Sequence, residues 1–264
     1  MELVTLFAGA FIIGIIMGLM GGGGSILTVP LLVYVFGINP VIATAYSLFI
    51  VGTTAVFGSA QHYIKKTIAL RTGAIIAIPS FIGVYITRSF ILPALPDVIF
   101  NIGDLEVTRD NFIMTIFGII MMMASLSMLT RKISNGEKET KKLNYPILLP
   151  IVAIIGLIMG LVGAGGGFLI IPMLVFFGGL PMKKAVGTSL FIIAINSLIG
   201  FLGDLQTIEI DWQFLLSFTI VSVFGIFAGT YLQKFVKEKQ LRHAFGWFVL
   251  VMAAFILSKE IIGW

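Results

Sequence analysis

The sequence predicts an all-α polytopic membrane protein: two inverted-topology repeats of about five helical segments each, with broken or short helices at glycine-rich motifs. Three observations predict it. Of the 264 residues 58% are hydrophobic and only 11% charged, where an average globular chain has about 25% charged. The charges are clustered, with no Asp, Glu, Lys or Arg from Leu3 to Ile64 and further gaps from Asn111 to Thr130, Leu143 to Met182 and Ala185 to Gly203. Finally, a shift of 142 residues lays Gly18–Pro30 on Gly160–Pro172, and residues 18 to 58 agree at 16 of 41 positions without a gap. A duplicated unit is the simplest source of such self-similarity.

A span of the ~30 Å hydrocarbon core needs ~20 apolar residues at 1.5 Å each. Ten segments therefore fill the chain and leave no room for a soluble domain. In the first half they fall at about 3–20, 25–37, 42–60, 72–91 and 111–130, and in the second at 147–162, 167–179, 185–203, 212–232 and 243–262. The N-terminus lacks a basic region ahead of its apolar stretch and reads as a retained first helix, not a cleaved leader. The second segment of each half starts in a glycine run and ends at Gly37 or Gly179. At about 13 residues, or roughly 20 Å, it is too short for a comfortable span. Residues 131–142, RKISNGEKETKK, read as a solvated basic linker, so the organisation is a first repeat at 1–130, a cytoplasmic linker at 131–146 and a second repeat at 147–264.

Five spans per half, an odd number, make the halves run in opposite senses. Loop charges test this independently. After the third segment stand Lys65, Lys66 and Arg71 in one half but Asp204, Glu209 and Asp211 in the other. After the fourth, Asp97, Asp104, Glu106 and Asp110 answer Lys234, Lys237, Lys239 and Arg242. Placing the basic loops in the cytoplasm puts 14 Lys and Arg inside and three outside, Arg88, Arg109 and Lys259. Both termini then face outward. The net charge of +5 thus speaks of orientation and not of nucleic acid.

Several chemistries are excluded. There are no cysteines for disulfides, zinc or iron–sulfur clusters, and the two histidines, His62 and His243, are far apart. No metal or cofactor is expected. No Walker A motif or His-Glu-x-x-His motif occurs, so neither an ATP-driven pump in one chain nor an intramembrane protease is favoured. An anion channel remains the alternative to a transporter.

The residues that can carry function start with the glycine clusters, Gly21, Gly22, Gly23 and Gly24 with Ser25, and Gly163, Gly165, Gly166 and Gly167 around Ala164. Each glycine costs a helix roughly 1 kcal/mol relative to Ala, so the helix should break there. Non-helical backbone at membrane depth is tolerated against protein or a water-filled cavity. A helix restarting beyond such a break aims free amides and its positive dipole end at one place, an anion site that needs no formal cation. Close packing of small residues is the plainer explanation, but packing asks for spaced glycines and not runs of four. Hydroxyl and amide side chains of the third segments come next: Tyr46 and Ser47 match Thr188 and Ser189 under the shift, and Thr54 matches Asn196. Ser and Thr in membrane helices more often serve as interhelical glue. Ionisable groups within the spans are nearly absent. His62 and Asp204, at equivalent ends of the third segments, read first as interfacial loop residues and second as candidates for coupling or gating.

The doubled pattern G-L-x-G-x-G-G-[GS]-x-L-x-x-P at 18–30 and 160–172, followed in each half by Ser-Leu-Phe-Ile at 47–50 and 189–192, resembles the TauE/SafE family of sulfite and sulfonate exporters. Gly21, Gly23, Gly24, Pro30, Gly163, Gly165, Gly166 and Pro172 carry the resemblance, and Ala164 departs from it. It implies a secondary transporter of small sulfur-containing anions such as sulfite, thiosulfate or organosulfonates like sulfoacetate, embedded in the lipid of a prokaryotic inner membrane. Another small organic or inorganic anion as cargo, a coupling proton or sodium ion, and a homo-oligomeric state stay open.

Overall fold

In the computed structural model, residues 2–102, 105–130, 145–163, 166–176, 178–205 and 208–262 are described. Among these residues the chain is helical almost throughout, and six helices are long and apolar enough to cross a membrane. The first half consists of α1 (Glu2–Met20), α2 (Ser25–Pro30), α3 (Pro40–Ile64), α4 (Leu70–Ile86) with the single turn α5 (Leu92–Ala94), and α6 (Arg109–Thr130). The second half consists of α7 (Tyr145–Val162), α8 (Gly167–Phe176), α9 (Met182–Asp204), α10 (Trp212–Leu232) and α11 (Glu238–Ile262). The basic linker at 131–142 lies outside the described residues.

Helix limits follow local chemistry. Pro40 opens α3 at the position where its missing N–H is harmless, and the Asn39 side chain accepts from Val41 N at 2.9 Å. Asp211 caps α10 by accepting from Phe214 N at 3.0 Å. Two stretches slip into π-helix: Leu31–Val35 prolongs α2, and Thr87–Ile91 joins α4 to α5.

The acidic stretch between α5 and α6 contains regular structure. It holds an antiparallel hairpin, β1 (Val98–Ile102) with β2 (Leu105–Thr108), in which Val98 faces Thr108 and Ile102 faces Leu105. β-branched residues such as Val98, Ile99 and Val107 favour the extended chain. Arg109 closes its base, donating N–H to the Asp97 carbonyl at 2.8 Å and pairing with the Asp97 carboxylate at 3.1 Å.

Tertiary packing interleaves the halves. α3 and α9 form the centre, being 67% and 72% buried against 33–44% for the other four long helices. They cross antiparallel: Gly200 lies beside Leu48, Gly52 beside Ser197 and Leu198, and Gly58 beside Leu190. α6 and α11 are also antiparallel, with Gly118 at Leu257 and Gly246 at Leu129. By contrast α1 runs parallel to α10 through Gly14 against Gly225 and Gly18 against Gly229. In the same way α7 runs parallel to α4, with Gly156 against Ser80 and Gly160 against Val84 and Thr87. A methyl group on Gly14 or Gly225 would collide with backbone of the facing helix, so these glycines set a close backbone approach of the kind membrane helices use. The shift of 142 carries Gly14 to Gly156, Gly18 to Gly160 and Gly83 to Gly225. Each half thus lays its first helix on the fourth helix of the other.

Candidate functional site at the two helix breaks

Both glycine runs break their helices as the sequence predicts. After α1 comes a 3₁₀ turn, Gly21–Gly23, and α2 starts at Ser25; α7 ends at Val162 and α8 starts at Gly167. Gly21 (φ +62°) and its counterpart Gly163 (φ +67°) take the left-handed conformation that glycine alone adopts freely, and Gly166 does too (φ +67°). The chain then doubles back on itself: Gly24 rests on Met17, and Gly166 on Met159, an equivalent pair. With six residues of α-helix and five of π-helix, α2 is about 16 Å long, and the ten residues of α8 make about 15 Å. Each is therefore half a span, and its first turn closes on the glycine before it, Leu27 N–H donating to the Gly24 carbonyl at 3.1 Å and Leu169 N–H to the Gly166 carbonyl at 3.0 Å.

The two breaks meet. Gly22 and Gly167 stand backbone to backbone, so closely that a Cβ on either would overlap the other's Cα. Gly167 also touches Ile193 of α9, and Gly21 touches Ser189 and Val186. Gly165 lies outside the described residues; Gly23 sits in the 3₁₀ turn, and Ser25 is placed only as the first residue of α2.

The other expected residues divide. Ser47 and Thr54 are completely buried, and their hydroxyls have no hydrogen-bond partner, nor does that of Ser197. Such groups are rare, since burying a hydroxyl without a partner costs about 1–3 kcal/mol. Ser189 donates to the Val186 carbonyl at 2.8 Å and faces Gly21. The remaining three are committed elsewhere. Tyr46 accepts Asp211 N–H at 2.7 Å, and the equivalent Thr188 accepts Ala69 N–H at 3.0 Å, so each ties down the start of the other half's fourth helix. Asn196 donates to Ser80 Oγ at 2.8 Å across the α9–α4 contact.

His62 and Asp204 are not interfacial loop residues but buried, inside the last turns of α3 and α9. The Thr67 hydroxyl donates to the His62 carbonyl (3.1 Å), so it receives the Nδ1 proton of His62 at 2.8 Å. That leaves Nε2 of His62 buried without a partner among the described residues. Asp204 pairs with Arg88, whose Nη1 donates to Asp204 Oδ2 at 3.2 Å and to Thr44 Oγ1 at 3.1 Å.

Arg88 is the residue the sequence reading missed. Expected among the outward cations, it is fully buried, lies in the π-helical turn Thr87–Ile91, and its Nη2 abuts Gly163 at the second break. The signal was present, since position 88 falls inside the segment expected at 72–91, and a charge inside a span is a functional hypothesis by default. Beside the pair opens a cavity of about 240 Å³, lined by Arg88, Arg109 and Asp204 together with Val41, Leu92 and Ile208. The equivalent of Arg88 at the first break is Thr230, whose carbonyl is 3.5 Å from the Lys65 ammonium. Burial, and then the neighbouring Lys234, pulls the Lys65 pKa below its ordinary value.

Residues 6–256 match the family model described as sulfite exporter TauE/SafE. The chain belongs to the TauE/SafE family. Among the relatives of this TauE/SafE protein, a "Probable membrane transporter protein" of Xylella fastidiosa is 31% identical over 98% of this chain and 95% of its own. "Probable membrane transporter protein YunE" of Bacillus subtilis is 25% identical over 91% of this chain and 92% of its own. No solved structure matches the chain at a significant level. It is a multi-pass membrane transporter of the TauE/SafE family.

Proposed function

We propose that this TauE/SafE protein is a secondary transporter that exports a small sulfur-containing anion, such as sulfite, thiosulfate or an organosulfonate like sulfoacetate, across a prokaryotic inner membrane by alternating access. The observation that carries the reading is the meeting of two glycine-rich helix breaks at Gly22 and Gly167, in the buried contact between the halves. Half-helices restarting from one place give a small oxyanion amide donors and positive dipole ends. Glycine lets an oxyanion approach the backbone closely, and Ser47 on the central helix α3 carries a buried hydroxyl without a partner.

The packing supports inverted repeats. Equivalent helices α3 and α9 cross antiparallel, as a two-fold axis in the membrane plane requires, whereas an axis along the membrane normal would make them parallel. With basic loops inward, both termini face outward, and the cargo site lies between two oppositely directed halves. The family's description supports a sulfur anion as cargo and the outward direction.

Reconstitution tests the reading. Vesicles loaded with sulfite, thiosulfate or sulfoacetate should show saturable exchange with the same labelled anion outside, at turnover far below a channel's flux. Unsaturable, conductive flux would replace the transporter with a channel. Stabilisation of the purified protein exclusively by a cation or a neutral solute would refute an anion cargo.

A further inference from the structure

We infer that the Arg88 guanidinium is the fixed charge that binds the transported anion, and that Asp204 is the resting counter-ion which the anion replaces. This rests on the reading of the protein as an anion transporter and adds a residue and a mode of binding to it.

A guanidinium carries five N–H donors in a planar fork. Here only Nη1 is engaged, to Thr44 and to one oxygen of Asp204, while Nε and Nη2 have no partner although the side chain is completely buried. A pair serving only to pin helices together would be expected to use the fork, because two parallel N–H donors to a carboxylate offset desolvation far better than one. The open Nη2 points to Gly163, where a Cβ would overlap it. Glycine at that position therefore keeps clear the space in front of the guanidinium edge.

Two further observations agree. The cavity beside the pair is bounded by a second cation, Arg109, and at about 240 Å³ it lies below the usual range for drug-sized ligands, roughly 300–1,000 Å³, as suits a small anion. The charge is also not part of the repeat, since the equivalent position is Thr230. A sulfonate or sulfite face presents two oxygens at the spacing of the Nε and Nη2 hydrogens, the bidentate geometry at which Arg and Lys are not interchangeable.

The test compares wild type with Arg88→Lys, Asp204→Asn and the double variant Arg88→Gln/Asp204→Asn, each as purified full-length protein. Sulfite, thiosulfate, sulfoacetate, phosphate, acetate and chloride are titrated by calorimetry, with thermal unfolding followed in parallel. Arg88→Lys keeps the charge but loses the fork, and should bind at least about tenfold more weakly. The double variant, neutral and hydrogen-bonded, should not bind. Asp204→Asn removes the competing carboxylate, so the anion becomes the missing counter-ion. It should bind at least about tenfold more tightly than wild type, and the anion should raise its unfolding temperature by more. Wild-type affinity in either Arg88 variant, or an anion-induced stabilisation of Asp204→Asn no greater than that of wild type, overturns the inference. Arg88→Lys is the mildest change and decides the matter alone if the others do not yield folded protein. If wild type binds phosphate or acetate but no sulfur anion, the cargo class is wrong while the same comparison still judges Arg88. If it binds none of the panel, both readings fall.

Discussion

Among the described glycines, Gly22 and Gly167 leave the least room for a Cβ, and that makes glycine substitutions informative in pairs. Gly22→Ala would drive a Cβ into the Cα of Gly167, which is backbone and cannot swing aside. Transport should be lost and thermal stability in detergent lowered by several degrees; an active Gly22→Ala protein would show that the breaks do not need to touch. Gly37 has the same left-handed backbone (φ +65°) but open space around it. Gly37→Ala should therefore cost only about 1–2 kcal/mol of conformational strain and keep activity. Hydroxyls give a second contrast. Ser47→Ala removes a buried group with no partner, so stability should hold or rise while anion affinity falls. Ser80→Ala instead strands the buried amide of Asn196, with a loss of about 1–3 kcal/mol in chemical denaturation. The glycine breaks were legible because four glycines in a row at 21–24, and four within five residues at 163–167, oppose helix continuation. The division among Tyr46, Thr188 and Ser47 was not legible, because it depends on which backbone amide the other half brings within reach.

At the scale of elements, most limits could be read in advance: charge and breaker residues bracket the spans, and the expected 212–232 is α10 itself. α3 runs four residues beyond its expected end and α9 one. His62 and Asp204 read as polar loop residues, whereas the helices continue and bury them against Thr67 and Arg88. The hairpin at 98–108 escaped notice because short strands leave little periodic signal. What sequence alone does not reveal is partnership. Gly14 and Gly18, and likewise Gly225 and Gly229, show the four-residue spacing of a close helix contact, but spacing does not say which pair meets. The contact itself yields a prediction. Gly225→Leu forces a side chain into the carbonyl of Phe11 and the backbone of Gly14, so it should reduce the yield of folded protein severely, with size-exclusion profile and unfolding temperature as readouts. Normal behaviour of that variant would mean that α1 and α10 are not in backbone contact.

For the whole molecule, orientation is the prediction of greatest reach. Cysteines introduced singly at Lys65 and Glu209 report on equivalent loops of the two halves, and both sites are exposed. The native chain contributes no background thiol. An impermeant maleimide should reach the two from opposite faces of the membrane; labelling of both from one face would end the inverted arrangement. Glu209 serves better than the buried Asp204 for this purpose.

The exchange of first and fourth helices between repeats also fixes what can move against what. α1 is bound to α10, and α7 to α4, along glycine-lined seams that leave no slack, so neither repeat can swing as a block without tearing its own arm from the neighbour. Any rocking bodies must be composites, each drawing on both ends of the gene, and the peptide at 131–142 would not be their hinge. Severing the chain there and supplying the two fragments from separate messages should still yield a working carrier, while either fragment alone should be degraded.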